Sequence, residues 1–146
     1  MNLCFLDVNR LYPYYVMCYN EASLGGIMQI KLPYPNKDLM PNRKNGKHWG
    51  ATVEAKNDAF AEAFYLTKAE IKWNTPLGDQ KIPITLIYVQ DDKRHRDLDN
   101  LLAASKSMLD GVAHALGIDD KNFEPITIMR RYDTSRYTLL DIDIML

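Results

Sequence analysis

The sequence predicts an α+β domain: a mixed β-sheet with two main helices packed on it, in the order β-α-β-α-β-β. Three observations carry that expectation. Two long segments place apolar residues at steps of three to four, four shorter ones have the alternation or β-branched content of strands, and clusters of Asn, Asp, Gly and Pro separate them. The chain has 146 residues, 47% of them apolar and 25% charged, which suits one soluble domain whose core needs neither disulfides nor a structural metal.

Residues 1–26 are rich in Tyr and Asn and hold no sustained period. They are set apart as an N-terminal extension, either an appendage to the core or chain upstream of a start at Met28, and a single domain is expected over 27–146. Cys4 and Cys18 fall in the extension with no CxxC and no neighbouring histidine, so they read as reduced thiols rather than zinc ligands. Residues 27–32 alternate as a strand, which Pro33-Tyr34-Pro35-Asn36 ends because proline removes ladder donors and restricts the residue before it. A polar loop extends to Thr52. Over 53–72, Val53, Asn57, Phe60, Phe64, Thr67 and Ile71 recur at helical spacing, while Glu54, Asp58, Glu62 and Lys68 occupy other angles. The turn cluster Asn74-Thr75-Pro76-Leu77-Gly78-Asp79 follows, then a strand over 82–90.

A second helix is expected from Leu98 through Leu116. Leu98, Leu101, Leu102, Ser105, Met108, Leu109, Val112, Ala115 and Leu116 form its apolar stripe, and Gly117 is placed to stop it. Residues 119–122 form a loop, and 125–132 and 137–146 read as strands joined through Asp133-Thr134-Ser135. In the last strand Leu140, Ile142, Ile144 and Leu146 share one face, and Asp141 and Asp143 on the other are expected to meet solvent.

Several function classes drop out at this point. No apolar run approaches the ~18 residues of a membrane span, and the N-terminus lacks the basic start, apolar stretch and cleavage site of a signal peptide. The expected address is therefore cytoplasmic, with no membrane partner. No GxGxxG or P-loop implies a nucleotide cofactor, and Ser105, Ser107 and Ser135 have no evident base with an orienting acid. His48, His95 and His114 have no neighbours at metal-ligand spacing; His95, inside a basic run, is placed to touch phosphate. Trp49 reads as a core residue ahead of the alternative, a platform for an unpaired base.

The net charge of −1 conceals an asymmetry. Residues 29–96 carry 12 Lys and Arg against 8 Asp and Glu, a net +4, whereas residues 97–146 carry 5 against 9, a net −4. The densest basic stretches are Arg43-Lys44-Asn45-Gly46-Lys47-His48 and Lys93-Arg94-His95-Arg96, and the second runs directly into Asp97-Leu98-Asp99. A solvated charge run is the ordinary reading of either stretch; adjacency to paired carboxylates turns the second toward phosphate.

Asp97 and Asp99 stand where a loop enters the second helix, and Asp119-Asp120 stand just beyond its end. A helix of about 20 residues is about 30 Å long, so the later pair must fold back for three carboxylates to meet. Where they meet, oxygen-only ligands suit Mg²⁺, and a metal that polarises a phosphodiester and acidifies bound water matches phosphodiester hydrolysis. Lys106, seven residues after Asp99, returns to within about 20° of the same helical face, and Asp110 follows four later, giving a polar line Asp99–Lys106–Asp110. The bland alternative makes Asp97 an N-cap, Asp99 a first-turn acid, Lys106–Asp110 an ordinary pair, and Asp119 and Asp120 turn formers.

The run Arg96-Asp97-Leu98-Asp99-Asn100-Leu101-Leu102, then Lys106-Ser107-Met108-Leu109-Asp110-Gly111, then Gly117-Ile118-Asp119-Asp120, resembles the signature of RusA-type Holliday-junction resolvases, small endonucleases often carried by prophages. Ile30-Lys31-Leu32-Pro33-Tyr34-Pro35-Asn36 is similar to the opening strand and loop of that family, so the resemblance covers residues 27–146. It implies a RusA-like fold and a metal-dependent, structure-selective endonuclease that resolves four-way junctions in recombination and repair by paired symmetric cuts from a homodimer. It further implies Asp97, Asp99 and Asp120 as ligands of Mg²⁺, with Mn²⁺ also accepted, and Asp119 as the substitute for Asp120. Lys106 would complete the catalytic set, and Arg96, Arg94, Lys93, Arg43, Lys44 and Lys47 would bind DNA. The family's lysine follows the second aspartate by four residues, where this chain has Ala103; Lys106 lies three further on, as after an insertion of about one turn. Two rival readings are a non-catalytic junction-binding protein and a metal- or protein-binding module with no affinity for nucleic acid.

Overall fold

The computed structural model describes residues 26–43 and 49–145. Among these, four strands form one sheet: β1 (Gly26–Leu32), β2 (Ile82–Gln90), β3 (Phe123–Tyr132) and β4 (Tyr137–Ile144), in the order β1-β4-β2-β3. β4 runs antiparallel to β1 and to β2, and β3 runs parallel to β2, so the sheet is mixed and the fold is the α+β class that the sequence predicts. The helices are α1 (Trp49–Glu70), α2 (Leu98–Ala104) and α3 (Lys106–Leu116), with 3₁₀ turns at Lys37–Leu39, Pro41–Arg43 and Asp120–Asn122. A parallel neighbour cannot be reached by a hairpin. The chain crosses from β2 to β3 through α2 and α3, and this crossover carries Asp97, Asp99, Lys106 and Asp120.

Period-two alternation makes one face of the sheet apolar. Ile30, Leu32, Ile82, Ile84, Leu86, Tyr88, Leu140, Ile142 and Ile144 are buried there against Leu101, Met108, Leu109, Val112 and Leu116 of the crossover. Each such aliphatic side chain contributes about 1.5–3 kcal/mol by leaving water. Among the described residues no helix is long and apolar enough to cross a membrane.

The helices depart from expectation in two respects. In α1 the buried positions are Ala55, Ala63 and Thr67, while Phe60 and Phe64 are half-buried and Asn57 is exposed. A close helix crossing accounts for this rotation. A Cβ added at Gly111 of α3 would lie 2.3 Å from the Phe60 carbonyl oxygen, so α3 approaches the backbone of α1 where only glycine fits, and the Phe60 and Phe64 rings lie to the side against His114 of α3. Thr67 satisfies its hydroxyl by donating to the Ala63 carbonyl at 2.7 Å. Trp49, expected in the core, is 79% exposed at the start of α1.

The helix expected from Leu98 through Leu116 is broken at Ser105. The Ser105 amide donates to the carbonyls of both Leu101 and Leu102, and its buried hydroxyl donates to Leu101 O at 2.8 Å while meeting the Tyr88 hydroxyl at 2.9 Å. A buried hydroxyl needs such partners, and Tyr88, whose phenol burial pushes up to about 12, supplies one from β2. Asp99, Lys106 and Asp110 therefore do not lie on one continuous helical face.

β3 begins at Phe123 rather than at Pro125, with its register against β2 shifted between Ile82 and Ile84. Pro125, which has no amide to donate, sits in that irregularity. Asp141 is buried, contrary to expectation, because β4 is an interior strand: Gln29 of β1 and Thr85 of β2 flank it, and Gln29 Nε2 donates to its carboxylate at 2.8 Å. Cys4, Cys18, Lys44, Lys47, His48, Leu146 and the Arg43 side chain lie outside the described residues.

Candidate functional site

The site is built around the segment that leaves β2 and enters α2. Gln90, the last residue of β2, is fully buried, and its carboxamide is used at both ends. Oε1 accepts from the Tyr34 hydroxyl at 3.1 Å, and Nε2 donates to the Arg94 carbonyl at 3.0 Å, which bends the intervening residues back over the strand end. Tyr34 also meets the Tyr88 ring edge to face, centroids 6.5 Å apart.

Salt bridges then set the loop. Arg96 pairs with Asp92 through two bonds of 2.7 and 3.0 Å, and Arg136 from the β3–β4 turn reaches Asp91 at 2.6 Å and Asp92 at 3.0 Å. The Arg96 guanidinium bonded to Asp92 holds that carboxyl down to about 2. Arg130 of β3 donates to the Arg96 carbonyl. Of the predicted DNA-binding cations, Arg96 is thus committed to the loop itself and only 17% exposed. Lys93 and Arg94 are exposed and have no ion-pair partner among the described residues.

Asp97 stands at the N-cap of α2 but makes no capping bond. Its carboxylate is 61% exposed, 3.4 Å from His95 Nε2 and 3.5 Å from Asn100 Nδ2. Asp99, in the first turn, is exposed and its carboxylate has no partner among the described residues. Past the break at Ser105, Lys106 opens α3 and bridges two carboxylates: Asp110, at 2.9 Å one turn on, and Asp120, from the 3₁₀ turn that follows the helix. Hydrogen bonds to Asp120 and then Asp110 raise the Lys106 pKa, and the bond to Lys106 lowers that of Asp120. Asp119 instead accepts from the Lys121 amide at 3.1 Å and caps the turn.

After α3 the chain folds back so that Asp120 meets Lys106, not Asp97 and Asp99. It does not gather Asp97, Asp99 and Asp120 into one ligand set: among the described residues no three His, Cys, Asp or Glu side chains form a metal-binding group. The donor chemistry still suits a hard cation. Mg²⁺ takes one or two carboxylates and fills its shell with water and phosphate oxygens, a donor type that Asp97 and Asp99 supply, whereas one oxygen of Asp120 is already bonded to Lys106.

No family model matches the chain. Over 107 residues it is 31% identical to an uncharacterized protein of Xylella fastidiosa (strain Temecula1), an alignment that covers 70% of this chain and 68% of that protein. The chain belongs to that protein's family. The sequence alone points to the acidic residues and Lys106, but not to Gln90, Tyr34 or the Asp91–Asp92–Arg136 clamp that the structure places beside them. One signal was present: an amide closing a largely apolar, nine-residue strand.

Proposed function

We propose that the chain is a divalent-metal-dependent, structure-selective DNA endonuclease of the RusA type, acting as a homodimer on four-way junctions. The observation that supports this reading best is the return of Asp120 to Lys106 at the start of α3, which joins two parts of the predicted catalytic set that lie 14 residues apart. Asp97 and Asp99 would hold Mg²⁺ or Mn²⁺; once bound, the ion polarises a phosphodiester and lowers the pKa of its water. The chain's own residues bind and orient. Lys93 and Arg94, exposed and without an ion-pair partner among the described residues, draw in phosphates, while Gln90 and the Arg96–Asp92 pair fix the backbone that presents Asp97. Lys106 holds Asp120 ionised and in place.

A second reading, a non-catalytic junction-binding protein, is favoured by one feature: the Lys106 ammonium already neutralises Asp120. Cleavage of a labelled mobile four-way junction, beside linear duplex of the same sequence, separates the two in Mg²⁺, in Mn²⁺ and in chelator. The endonuclease reading expects symmetric, metal-dependent nicking of the junction alone, lost in Asp99→Asn with binding retained. Tight junction binding by the wild type with no cleavage in either metal would select the second reading.

A further inference from the structure

Beside Asp97 lies an open cleft of about 580 Å³, walled by the loop after β1, the 3₁₀ turns, the 94–97 segment and α2. Its size is that of pockets which hold small organic ligands, about 300–1,000 Å³. Tyr34 forms part of its wall, and that ring is fixed by the bond from its hydroxyl to Gln90 and by its edge contact with Tyr88. A rigid aromatic surface binds a planar ligand with little loss of side-chain freedom. Two carboxamides line the same cleft. Asn42 is exposed on a 3₁₀ turn with no hydrogen-bond partner among the described residues, and Asn100 makes only the long contact with Asp97. Carboxamides present a donor and an acceptor side by side, the pattern that pairs with base edges.

The charges lining the cleft are of two kinds. Arg96 and Arg136 are neutralised by Asp91 and Asp92, whereas Lys37 and Arg94 have no ion-pair partner among the described residues. A ligand seated there therefore meets an aromatic ring, amides for a heterocycle and two cations without an ion-pair partner among the described residues, with the Asp97 carboxylate in the same lining.

We propose that this cleft receives one unstacked nucleotide of a DNA strand, its base on Tyr34 and read by Asn42, its phosphate facing Lys37 and Arg94. The inference rests on the endonuclease reading for its branched substrate and adds to it a site for an unpaired base next to the cleavage residues. Enzymes that act at unpaired positions seat the extruded base in such a pocket by stacking and edge hydrogen bonds.

Coupling between an abasic site and Tyr34 tests the assignment. Affinities of the full chain are measured in chelator for four-way junctions that lack one base at each position around the branch, and for single-stranded oligonucleotides with the same lesions. Stacking is worth about 1–3 kcal/mol per base, or roughly 5- to 150-fold in affinity. One lesion near the branch is expected to weaken wild-type and Tyr34→Phe binding at least 5-fold and to leave Tyr34→Ala unchanged. The Phe variant keeps the ring and drops the Gln90 bond, so it separates stacking from loop positioning. Asn42→Ala, on an exposed turn, is expected to fold normally and to erase differences among the four bases at that position. Equal lesion effects in wild type and Tyr34→Ala, with base preference intact in Asn42→Ala, would overturn the cleft assignment while leaving the endonuclease reading standing. Coupling on single strands without preference for junctions would retain the cleft and remove the branched substrate.

Discussion

Asp141 and Asp120 are perturbed in opposite directions, and each direction has a structural cause. Burial in the sheet interior raises Asp141, with the Gln29 bond opposing; the Lys106 ammonium lowers Asp120. A carboxyl whose folded pKa lies above its unfolded value of about 3.9 favours the native state below that value and loses the contribution as pH rises through the folded pKa. For Asp120 the sign reverses: its stabilisation is present above about 3.9 and disappears as pH falls through the lowered folded pKa, and solvent exposure keeps it small. Asp141→Asn retains an oxygen that accepts from Gln29 and cannot ionise. The variant is expected to be more stable than wild type at pH 7 and to lose that advantage at about pH 3, where Asp141 is protonated in both states. Urea unfolding at the two pH values measures this, and an advantage unchanged by pH would refute the buried-charge account. The error about Asp141 has a general cause. Alternation assigns a residue to a face of its strand, but whether that face is covered depends on neighbours that come from elsewhere in the chain, here Gln29 and Thr85.

The same division between local and distant causes runs through the elements. Strands β1, β2 and β4 and the two helical regions were legible because period and turn chemistry act within a few residues. The break between α2 and α3 was not, because Tyr88 fixes it from β2, 17 residues upstream of Ser105. Nor was the buried side of α1, which is chosen by the approach of α3 rather than by its own largest residues. That approach makes Gly111 a sharp test. Alanine in a helix interior is normally better than glycine by about 1 kcal/mol, but here its Cβ would stand 2.3 Å from the Phe60 carbonyl oxygen and 3.1 Å from the carbonyl carbon, atoms of a helical backbone that cannot rotate aside. Overpacking of this kind costs about 1–3 kcal/mol. Gly111→Ala is expected to lower the urea midpoint despite its better propensity, with the amides of α1 nearest Phe60 losing hydrogen-exchange protection first. A midpoint equal to or above that of wild type would mean that α1 and α3 separate freely and that their crossing does not constrain the fold.

At the scale of the whole molecule, a net charge of −1 leaves any affinity for a polyanion to local placement of charge. The acidic crossover and the basic segment before it were legible as composition, but the division of the cations was not. Arg96 and Arg136 are clamped by Asp91 and Asp92, and Lys93 and Arg94 extend from the same short loop without an ion-pair partner among the described residues. If the chain binds DNA, only cations that neutralise phosphates release counterions, and each contributes about −0.9 to the slope of log K against log salt. Lys93→Ala combined with Arg94→Ala should therefore flatten that slope on a four-way junction by nearly 2 for each chain engaged, with thermal stability unchanged. Arg96→Ala should do the reverse: it leaves the salt slope close to wild type but loosens the loop, because Asp92 then keeps Arg136 alone. Filter-binding titrations between about 50 and 200 mM salt resolve the two behaviours. Equal slope changes from Arg94→Ala and Arg96→Ala would mean that DNA strips Arg96 from Asp92, and that the loop presenting Asp97 reorganises on binding.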